Sequence, residues 1–224
     1  LSNIILLRKE IRRIKPDIVH AHYSLTAIVS TLAGAKPLVV SLMGSDVKAS
    51  GILKLIIRFL CILFWKQTIV KSEEMKKSMG LNNVHVIPNG VNTKIFKPED
   101  KFSARKKLNW TDSNKHLLFA ANPERPEKNY KLVEKALKHI DIKNFEIHVL
   151  RDVPPDEIPI WMDAADVTLL TSFREGSPNV IKEAMACNCP IVATDVGDIR
   201  WLFGDEPGHF ISSFNSTDMA KKIE

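Results

Sequence analysis

Cysteine and glycine are scarce in this sequence. The 224 residues include 3 Cys and 9 Gly. Three cysteines at these spacings are too few for a disulfide framework or for a zinc site of the Cys-x-x-Cys type, which favours a reducing compartment. The low glycine content excludes a collagen-like chain, and a composition that is 45% hydrophobic and 26% charged excludes a disordered one. The composition therefore indicates an ordinary globular chain, long enough for one large domain or two small ones.

The sequence also lacks a signal-peptide pattern and a hydrophobic run long enough to cross a membrane. The apolar run at residues 51–65 carries two charges in fifteen residues, whereas a membrane span needs about 20 apolar residues. The favoured interpretation is a core helix packed on a sheet, because a short apolar run usually forms a buried element. The alternative is a helix that lies in a membrane interface, with Lys54, Arg58 and Lys66 forming a narrow basic stripe that faces outward.

Acidic residues are scarce in the first half of the chain only. Residues 1–100 contain 15 Lys and Arg residues and 7 Asp and Glu residues, which gives a net charge of +8. Residues 101–224 contain 17 Lys and Arg residues and 19 Asp and Glu residues, which gives a net charge of −2. A basic half is suited to nucleic acid, an anionic membrane or an anionic small molecule. We expect no nucleic-acid partner, because the basic residues are not interleaved with the aromatic residues that a stacking surface requires.

The chain opens on Leu1 rather than on an initiator methionine. Its first residues are apolar at close to helical spacing, with Arg8, Lys9, Arg12 and Arg13 between them, which predicts an amphipathic helix. A chain that begins inside such a helix is expected to be partial, with its true start upstream.

Short apolar segments alternate with helical patterns along the whole chain, without hairpin signals between them. This alternation predicts an α/β fold with parallel sheets. The strands predicted before a polar stretch at 92–115 are 18–22, 37–42, 69–70 and 84–87, and those predicted after it are 117–120, 145–150, 167–170, 190–193 and 209–211. The helices predicted in the second series are 127–139, 156–165, 178–187 and 215–223. Because residues 92–115 are rich in Lys, Pro and Asp, we predict a linker there between two α/β units.

Two common phosphate-binding motifs are absent. The sequence contains neither the G-x-G-x-x-G fingerprint nor a G-x-x-x-x-G-K-[ST] loop. Their absence points away from the usual dinucleotide dehydrogenases and the P-loop enzymes. A phosphate site in this chain must therefore be built in another way.

The densest group of polar residues lies at 171–186 and directly follows the predicted strand 167–170. Loops at the carboxyl ends of parallel strands are where open α/β sheets bind ligands. We predict that Ser177 caps the next helix and that Pro178 occupies its first position. Gly176 allows close backbone approach, so the first N–H groups of the helix are expected to hold a phosphate or diphosphate.

Two carboxylates flank this helix start. Glu175 precedes the helix, and Glu183 lies eight residues later, inside it. A carboxylate can accept paired hydrogen bonds from vicinal hydroxyls, so the two residues are suited to a sugar and a ribose on either side of a diphosphate. From the spacing alone, both glutamates could equally be solvated surface charges.

Five segments of the sequence together resemble the retaining glycosyltransferases of family 4, which have the GT-B fold of two Rossmann-like domains with parallel sheets. In order, they are "PDIVHAHY" at 16–23, "PLVVSLMGSDV" at 37–47, "VIPNGVNTKIFKP" at 86–98, "RPEKNYKLVEKAL" at 125–137 and "SFREGSPNVIKEAMACNCPIVATDVGDI" at 172–199. The resemblance implies an acceptor-side domain at 1–97, truncated at its start, and a nucleotide-sugar donor domain at 98–224. It covers nearly the whole chain.

The resemblance also implies roles for individual residues. Glu175 would bind hydroxyls of the transferred sugar and Glu183 would bind the ribose. The diphosphate would lie on the backbone of Gly176, Ser177, Pro178, Asn179 and Val180.

Arg125 and Lys128 would neutralise the leaving nucleoside diphosphate. The alternative is a solvated helix start, which is disfavoured because cations are unfavourable near a helix N-terminus unless an anion joins them. In the first domain, His22 would contact the donor sugar or the acceptor, and Asp46 also follows a predicted strand. Met43 replaces the usual histidine of the turn.

The sequence thus predicts an enzyme that moves a sugar from a UDP-sugar or GDP-sugar to a glycan or lipid-linked precursor of the cell surface. No suitably placed Asp-x-Asp motif is present, so we expect no metal and no other cofactor, with cations replacing Mg²⁺. A cytoplasmic location is expected, with peripheral contact to an anionic membrane at the inner face of the plasma membrane. The alternatives are a fragment that binds a nucleotide-sugar without turnover, and a sugar-nucleotide epimerase or phosphorylase of similar architecture.

Overall fold

The computed structural model describes residues 2–44 and 51–224, which divide into two compact units, Leu1–Asn89 and Gly90–Glu224. Asp46 lies outside the described residues. Each unit has its own parallel sheet and its own hydrophobic core. The predicted fold class, two α/β domains with parallel sheets, is confirmed.

The first unit contains a four-stranded sheet in which the strands follow one another in chain order. The strands are β1 (Val19–His22), β2 (Leu38–Ser41), β3 (Gln67–Val70) and β4 (Val84–Val86), all parallel. The helices described between and before them are α1 (Ser2–Ile14), α2 (Ser24–Leu32), α3 (Ile52–Leu63) and α4 (Glu73–Met79). Each predicted strand of this unit is present to within a few residues, because each is a short apolar run bounded by polar residues.

The second unit contains five parallel strands in the order β6-β5-β7-β8-β9. The strands are β5 (Lys115–Phe119), β6 (Phe145–Val149), β7 (Val167–Leu170), β8 (Ile191–Thr194) and β9 (His209–Ser212). The helices are α5 (Lys101–Leu108), α6 (Tyr130–Ala136), α7 (Ile158–Ala164), α8 (Asn179–Ala186), α9 (Ile199–Phe203) and α10 (Ser216–Ile223). Strands β7 and β8 are buried at every residue, as expected of central strands covered by helices on both faces.

The predicted linker at 92–115 is wrong, because these residues contain helix α5. Asp100 caps α5 by accepting a hydrogen bond from Ser103 N at 2.8 Å. Arg105, a buried residue of the helix, donates to Asp166 Oδ2 at 2.7 Å and to the Ala164 carbonyl at 3.0 Å. The polar residues that suggested a linker therefore cap the helix and fix it to the second unit.

The division between the two units falls after Asn89, eight residues before the boundary expected at 97/98. Phe96 packs against the hydrophobic core of the second unit. The backbone N–H of Glu99 donates to Asp163 Oδ1 at 3.3 Å. These contacts explain why residues 90–97 group with the second unit.

Helix α3 packs on the first sheet by one face and exposes apolar side chains on the other. Ile57 and Cys61 are buried in the core of the first unit. The apolar side chains that remain exposed are Ile52, Leu55, Ile56, Phe59, Ile62 and Leu63, with Leu55 68% and Phe59 56% exposed. The prediction of a core helix is therefore right for one face only.

The basic residues of α3 do not form an outward stripe, so that prediction is wrong. Lys54 Nζ donates to Ser78 Oγ at 3.3 Å, and Arg58 Nη1 donates to the carbonyl of Met79, both in α4. The exposed face of the helix is thus the apolar one. No described helix combines the length and the apolar character that crossing a membrane requires.

Candidate functional site

Two loops of the second unit meet at the carboxyl ends of neighbouring strands β5 and β7. Lys128, in the loop after β5, donates from Nζ to Glu175 Oε1 at 2.6 Å. Ser172 Oγ donates to the same carboxylate oxygen at 2.7 Å. The side chains of Lys128 and Glu175 are each 15% exposed, so this ion pair is partly shielded from water. The suggestion that Glu175 is a solvated surface charge is therefore wrong.

Hydrogen bonds to backbone carbonyl groups hold these two loops in place. Thr171 Oγ1 donates towards the carbonyls of Lys128 and Asn129, at 2.9 and 3.0 Å. The backbone N–H of Phe173 donates to the Glu127 carbonyl at 2.9 Å. Thr194 Oγ1 donates to the Ser172 carbonyl at 2.8 Å. These bonds hold the backbone of the two loops that carry Lys128 and Glu175, in addition to the ion pair between the two side chains.

The side chain of Arg125 bonds to Glu127 and not to Glu175. Its guanidinium pairs with Glu127 Oε1, from Nη2 at 2.5 Å and from Nε at 2.9 Å, and its side chain is 58% exposed. Arg125 lines a groove of about 560 Å³ together with Tyr130 and Phe173. The structure therefore brings Lys128 to Glu175 and leaves Arg125 on the neighbouring surface.

Helix α8 begins one residue later than the sequence suggested. Pro178 is the residue that precedes the helix, Asn179 is its first residue, and the side chain of Pro178 makes no capping hydrogen bond. The predicted capping role of Ser177 is wrong, because Pro178 is the residue at the cap position and the buried Ser177 Oγ makes no described hydrogen bond to the N–H groups of α8. The first N–H groups of a helix have no partner inside the helix. No side chain among the described residues caps the N–H groups of Asn179 and Val180, which leaves these two groups available to an anion.

Glu183 lies in α8, half-buried. Burial raises the pKa of its carboxyl group. No described residue hydrogen-bonds to its carboxylate, in contrast to Glu175. A half-buried carboxylate with acceptor capacity to spare can take hydrogen bonds from a ligand's hydroxyls.

Sequence reasoning missed the residues that support this loop from β8. Gly197 has φ of +64°, and a Cβ atom on it would lie 2.5 Å from the Gly176 carbonyl oxygen. The next residue, Asp198, is 9% exposed, and its carboxylate lies beside the hydroxyl of Ser177. Burial raises its pKa. The signal that could have found this contact is a glycine in the polar turn that follows a buried strand.

In the first unit, polar residues gather at the carboxyl ends of β1 and β3. His22 ends β1, is exposed, and lies against His20, with ring centroids 4.3 Å apart. His20 Nε2 hydrogen-bonds to Ser41 Oγ at 2.9 Å. Lys71, which sequence reasoning also missed, is buried directly after β3, where burial lowers its pKa. Its Nζ donates to the Ile87 carbonyl at 3.4 Å.

Two protein families match the chain. The family described as "Glycosyl transferases group 1" matches residues 103–224, and the one described as "Glycosyltransferase Family 4" matches residues 1–95. The teichuronic acid biosynthesis glycosyltransferase TuaC of Bacillus subtilis (strain 168) is 26% identical over 255 aligned positions, covering 100% of this chain. The D-inositol 3-phosphate glycosyltransferase of Paenarthrobacter aurescens (strain TC1) is 27% identical and covers 70% of it.

Solved structures show the same fold at low sequence identity. Sucrose-phosphate synthase from Thermosynechococcus elongatus matches 98% of the chain with a TM-score of 0.86 and 15% identity. HepE from Anabaena, solved in complex with UDP and glucose, matches 97% with a TM-score of 0.79 and 20% identity. The two α/β units thus have the GT-B fold.

The chain spans 64% of the length of TuaC and 47% of the length of the D-inositol 3-phosphate glycosyltransferase. It spans 66% of the length of sucrose-phosphate synthase and 70% of the length of HepE. Within that span, the group 1 model covers the unit that holds Lys128, Glu175 and Glu183. More than half of the chain matches this model, and the chain therefore belongs to the group 1 glycosyltransferases.

Proposed function

We propose that this protein transfers a sugar from UDP-sugar or GDP-sugar to a glycan or lipid-linked acceptor in polysaccharide or glycolipid biosynthesis, with retention at the anomeric carbon. The observation that carries the proposal is the Lys128–Glu175 pair beside the uncapped start of α8. The relative TuaC is named for teichuronic acid biosynthesis, and Anabaena HepE was solved with UDP and glucose. These names support the class of donor and acceptor.

Negative charge builds up on the leaving diphosphate as the bond from the sugar to its oxygen breaks. The first N–H groups of α8, at Asn179 and Val180, would hold the diphosphate together with the N–H groups of Gly176 and Ser177, and Pro178 supplies no N–H group. Lys128 Nζ has three donors, so it can keep Glu175 and also donate to a phosphate oxygen. A fixed cation beside the leaving group stabilises the transition state more than the ground state.

The carboxylates on either side would hold the rest of the donor. Glu175, fixed by Lys128 and Ser172, has one carboxylate oxygen left over for hydroxyls of the sugar. Glu183 would accept hydrogen bonds from the ribose. His22 is the residue of the first unit to which we assign contact with the donor sugar or the acceptor.

The proposal assigns no metal to the reaction, because Lys128 supplies the positive charge. Turnover is accordingly expected to persist in EDTA. A fragment that only binds the donor would release no nucleoside diphosphate, and an epimerase would convert the donor in the absence of an acceptor. Release of nucleoside diphosphate only when an acceptor is present distinguishes transfer from both.

Changing Glu183 to alanine is expected to weaken the binding of UDP or GDP about tenfold or more, because hydrogen bonds to a charged group contribute about 1.5–3 kcal/mol. Titration calorimetry with UDP and with 2′-deoxy-UDP checks this result. The native protein should discriminate between the two nucleotides, and the variant should bind them more equally.

Glu206→Ala is the matched control, since Glu206 is exposed and follows α9 in the same unit. It should bind UDP as the native protein does. Unchanged UDP affinity in Glu183→Ala would remove Glu183 from the ribose role.

We further propose that the apolar face of α3 rests on an anionic membrane. At least six apolar side chains of this helix are exposed, a pattern typical of helices that lie in a membrane interface. Residues 1–100 carry a net charge of +8, which attracts anionic lipid headgroups. This proposal locates the protein in the cytoplasm, at the inner face of the plasma membrane.

Replacing Phe59 and Leu63 together with serine is expected to lower binding to vesicles that contain anionic lipid by at least tenfold. Both side chains are exposed, and burial of each large apolar side chain contributes about 1.5–3 kcal/mol. Vesicle co-sedimentation measures the effect. Phe102→Ser in α5 removes an equally exposed aromatic side chain from the second unit and should bind like the native protein. Equal loss in Phe102→Ser would contradict a specific role for α3.

A further inference from the structure

A cluster of two histidines and a glutamate lies in the second unit, away from Lys128 and Glu175. Its members are His116, Glu146 and His148, and one ligand atom from each lies within 4.8 Å of the other two. His116 is the second residue of β5, and Glu146 and His148 are on the neighbouring strand β6. Alternate residues of a strand share a face, so the three side chains project from the same face of the sheet. We call them the two-histidine cluster.

The ring of His116 is oriented by a backbone carbonyl. Its Nε2 lies 2.7 Å from the Thr111 carbonyl oxygen. A carbonyl oxygen can only accept a hydrogen bond, so Nε2 carries the hydrogen and Nδ1 keeps its lone pair in the neutral ring. Nδ1 is the atom that faces His148, at 2.9 Å from His148 Nε2. A second partner that fixes the tautomer in this way is typical of metal-binding histidines.

Neighbouring side chains also hold the other two members of the cluster, Glu146 and His148. Asn114 Nδ2 donates to Glu146 Oε1, which leaves Oε2 at 3.8 Å from His148 Nε2. Trp110 stacks on the His148 ring, with centroids 3.6 Å apart and planes 10° apart, and the edge of Trp161 packs against Trp110. The 109–114 turn therefore supplies a supporting contact to each member of the cluster.

The donor set selects among metals. Two imidazole nitrogens and one carboxylate oxygen match zinc and the neighbouring divalent transition metals, whereas Ca²⁺ and Mg²⁺ prefer sites made of oxygen atoms. Metal–nitrogen distances of about 2.0–2.1 Å in a tetrahedral site separate the two nitrogens by about 3.3 Å. The rings of His116 and His148 need to move apart by only about half an ångström from their present 2.9 Å.

We propose that the two-histidine cluster binds one divalent transition metal ion of the zinc class and thereby ties β5, β6 and the 109–114 turn together. The site is structural and separate from the donor site, because His116 lies near the amino end of β5 and Lys128 follows its carboxyl end. The competing possibility is a plain hydrogen-bonded pair of neutral histidines, which would have no stoichiometric affinity for zinc.

The experiment is a titration of the chelator-treated chain with Zn²⁺, followed by calorimetry and by thermal unfolding. We expect one equivalent of Zn²⁺ to bind and to raise the unfolding temperature. His148→Ala should abolish the stoichiometric binding. His139→Ala, which removes an exposed histidine from the same unit, is the matched control and should bind like the native protein.

Two milder variants keep the test valid if His148→Ala unfolds. Glu146→Gln replaces the carboxylate with an amide of the same size and should weaken Zn²⁺ binding at least tenfold. Asn114→Ala keeps all three ligands and removes only the partner of Glu146, with about tenfold weaker binding expected. UDP affinity should be unchanged in both, so this proposal and the proposed donor site fail separately. No stoichiometric binding by the native chain, or an equal loss in His139→Ala, would overturn the proposal.

Discussion

Replacing Lys128 with alanine is expected to lower the affinity for UDP or GDP about 10- to 100-fold and to leave the affinity for the uncharged nucleoside unchanged. A charge-assisted hydrogen bond contributes about 1.5–3 kcal/mol, and the partial shielding of Lys128 strengthens its interaction with a phosphate. The nucleoside lacks the diphosphate and should not report the loss. Titration calorimetry with uridine, guanosine and their diphosphates measures the difference.

Lys131→Ala is the matched control for this result. Lys131 is an exposed residue of α6, three positions along the chain, so its removal changes the net charge equally without touching Glu175. It should bind UDP nearly as the native protein does. If the two variants lost affinity equally, the effect would be one of general charge, and Lys128 would have no specific contact with the diphosphate.

A separate concern is whether Lys128→Ala remains folded. The change leaves Glu175 without its cation, although Ser172 Oγ still donates to the carboxylate. The loop backbone keeps its own hydrogen bonds through Thr171 and Thr194. The variant is therefore expected to fold, and unchanged affinity for the nucleoside would show that the rest of the site survives.

The sequence predicted the strands well, because the signal for a buried parallel strand is local. Residues 167–170 and 191–194 are short apolar runs, and both are fully buried strands in the structure. Parallel pairing followed from the alternation of strands with helices. The strand order β6-β5-β7 could not be read from the sequence, and it is this order that brings Lys128 within 2.6 Å of Glu175 across 47 residues of chain.

Helix α5 and the exposed face of α3 show where composition misleads. The polar residues at 100–105 suggested a linker, yet Asp100 caps α5 and Arg105 is buried against Asp166. In α3 the apolar residues suggested burial, yet Leu55 and Phe59 are exposed. Burial depends on what the rest of the chain places beside a residue, and local composition carries no information on that.

The donor site was predicted in its residue types but not in its geometry. Glu175 and Glu183 were identified by their spacing and by a family resemblance. The orientation of Arg125 towards Glu127, by contrast, follows from rotamers that no motif specifies. The turn after β8 approaches the loop after β7 closely, at Gly197 and Gly176. The glycine in that turn signals a close contact, but a single sequence does not show which residue it approaches.

Changing Gly197 to alanine is expected to destabilise the second unit by about 2–4 kcal/mol and to weaken UDP binding more than tenfold. A non-glycine residue at φ of +64° costs about 1–2 kcal/mol. The added methyl group would also lie 2.5 Å from the Gly176 carbonyl oxygen, which cannot yield unless the backbone moves. That movement would displace Glu175 on one side and the first N–H groups of α8 on the other. Thermal unfolding and UDP calorimetry measure the two effects.

Gly208→Ala distinguishes the clash from the backbone strain. Gly208 has φ of +85°, but a Cβ atom on it would meet nothing within 4 Å. This variant should lose stability by the conformational cost alone and should bind UDP as the native protein does. If Gly197→Ala resembled Gly208→Ala in both measurements, the contact between the two loops would be unimportant. If it lost stability but kept UDP affinity, the turn after β8 would support the fold without shaping the donor loop. The clash is with a backbone atom of the donor loop itself, so we expect both losses to occur together.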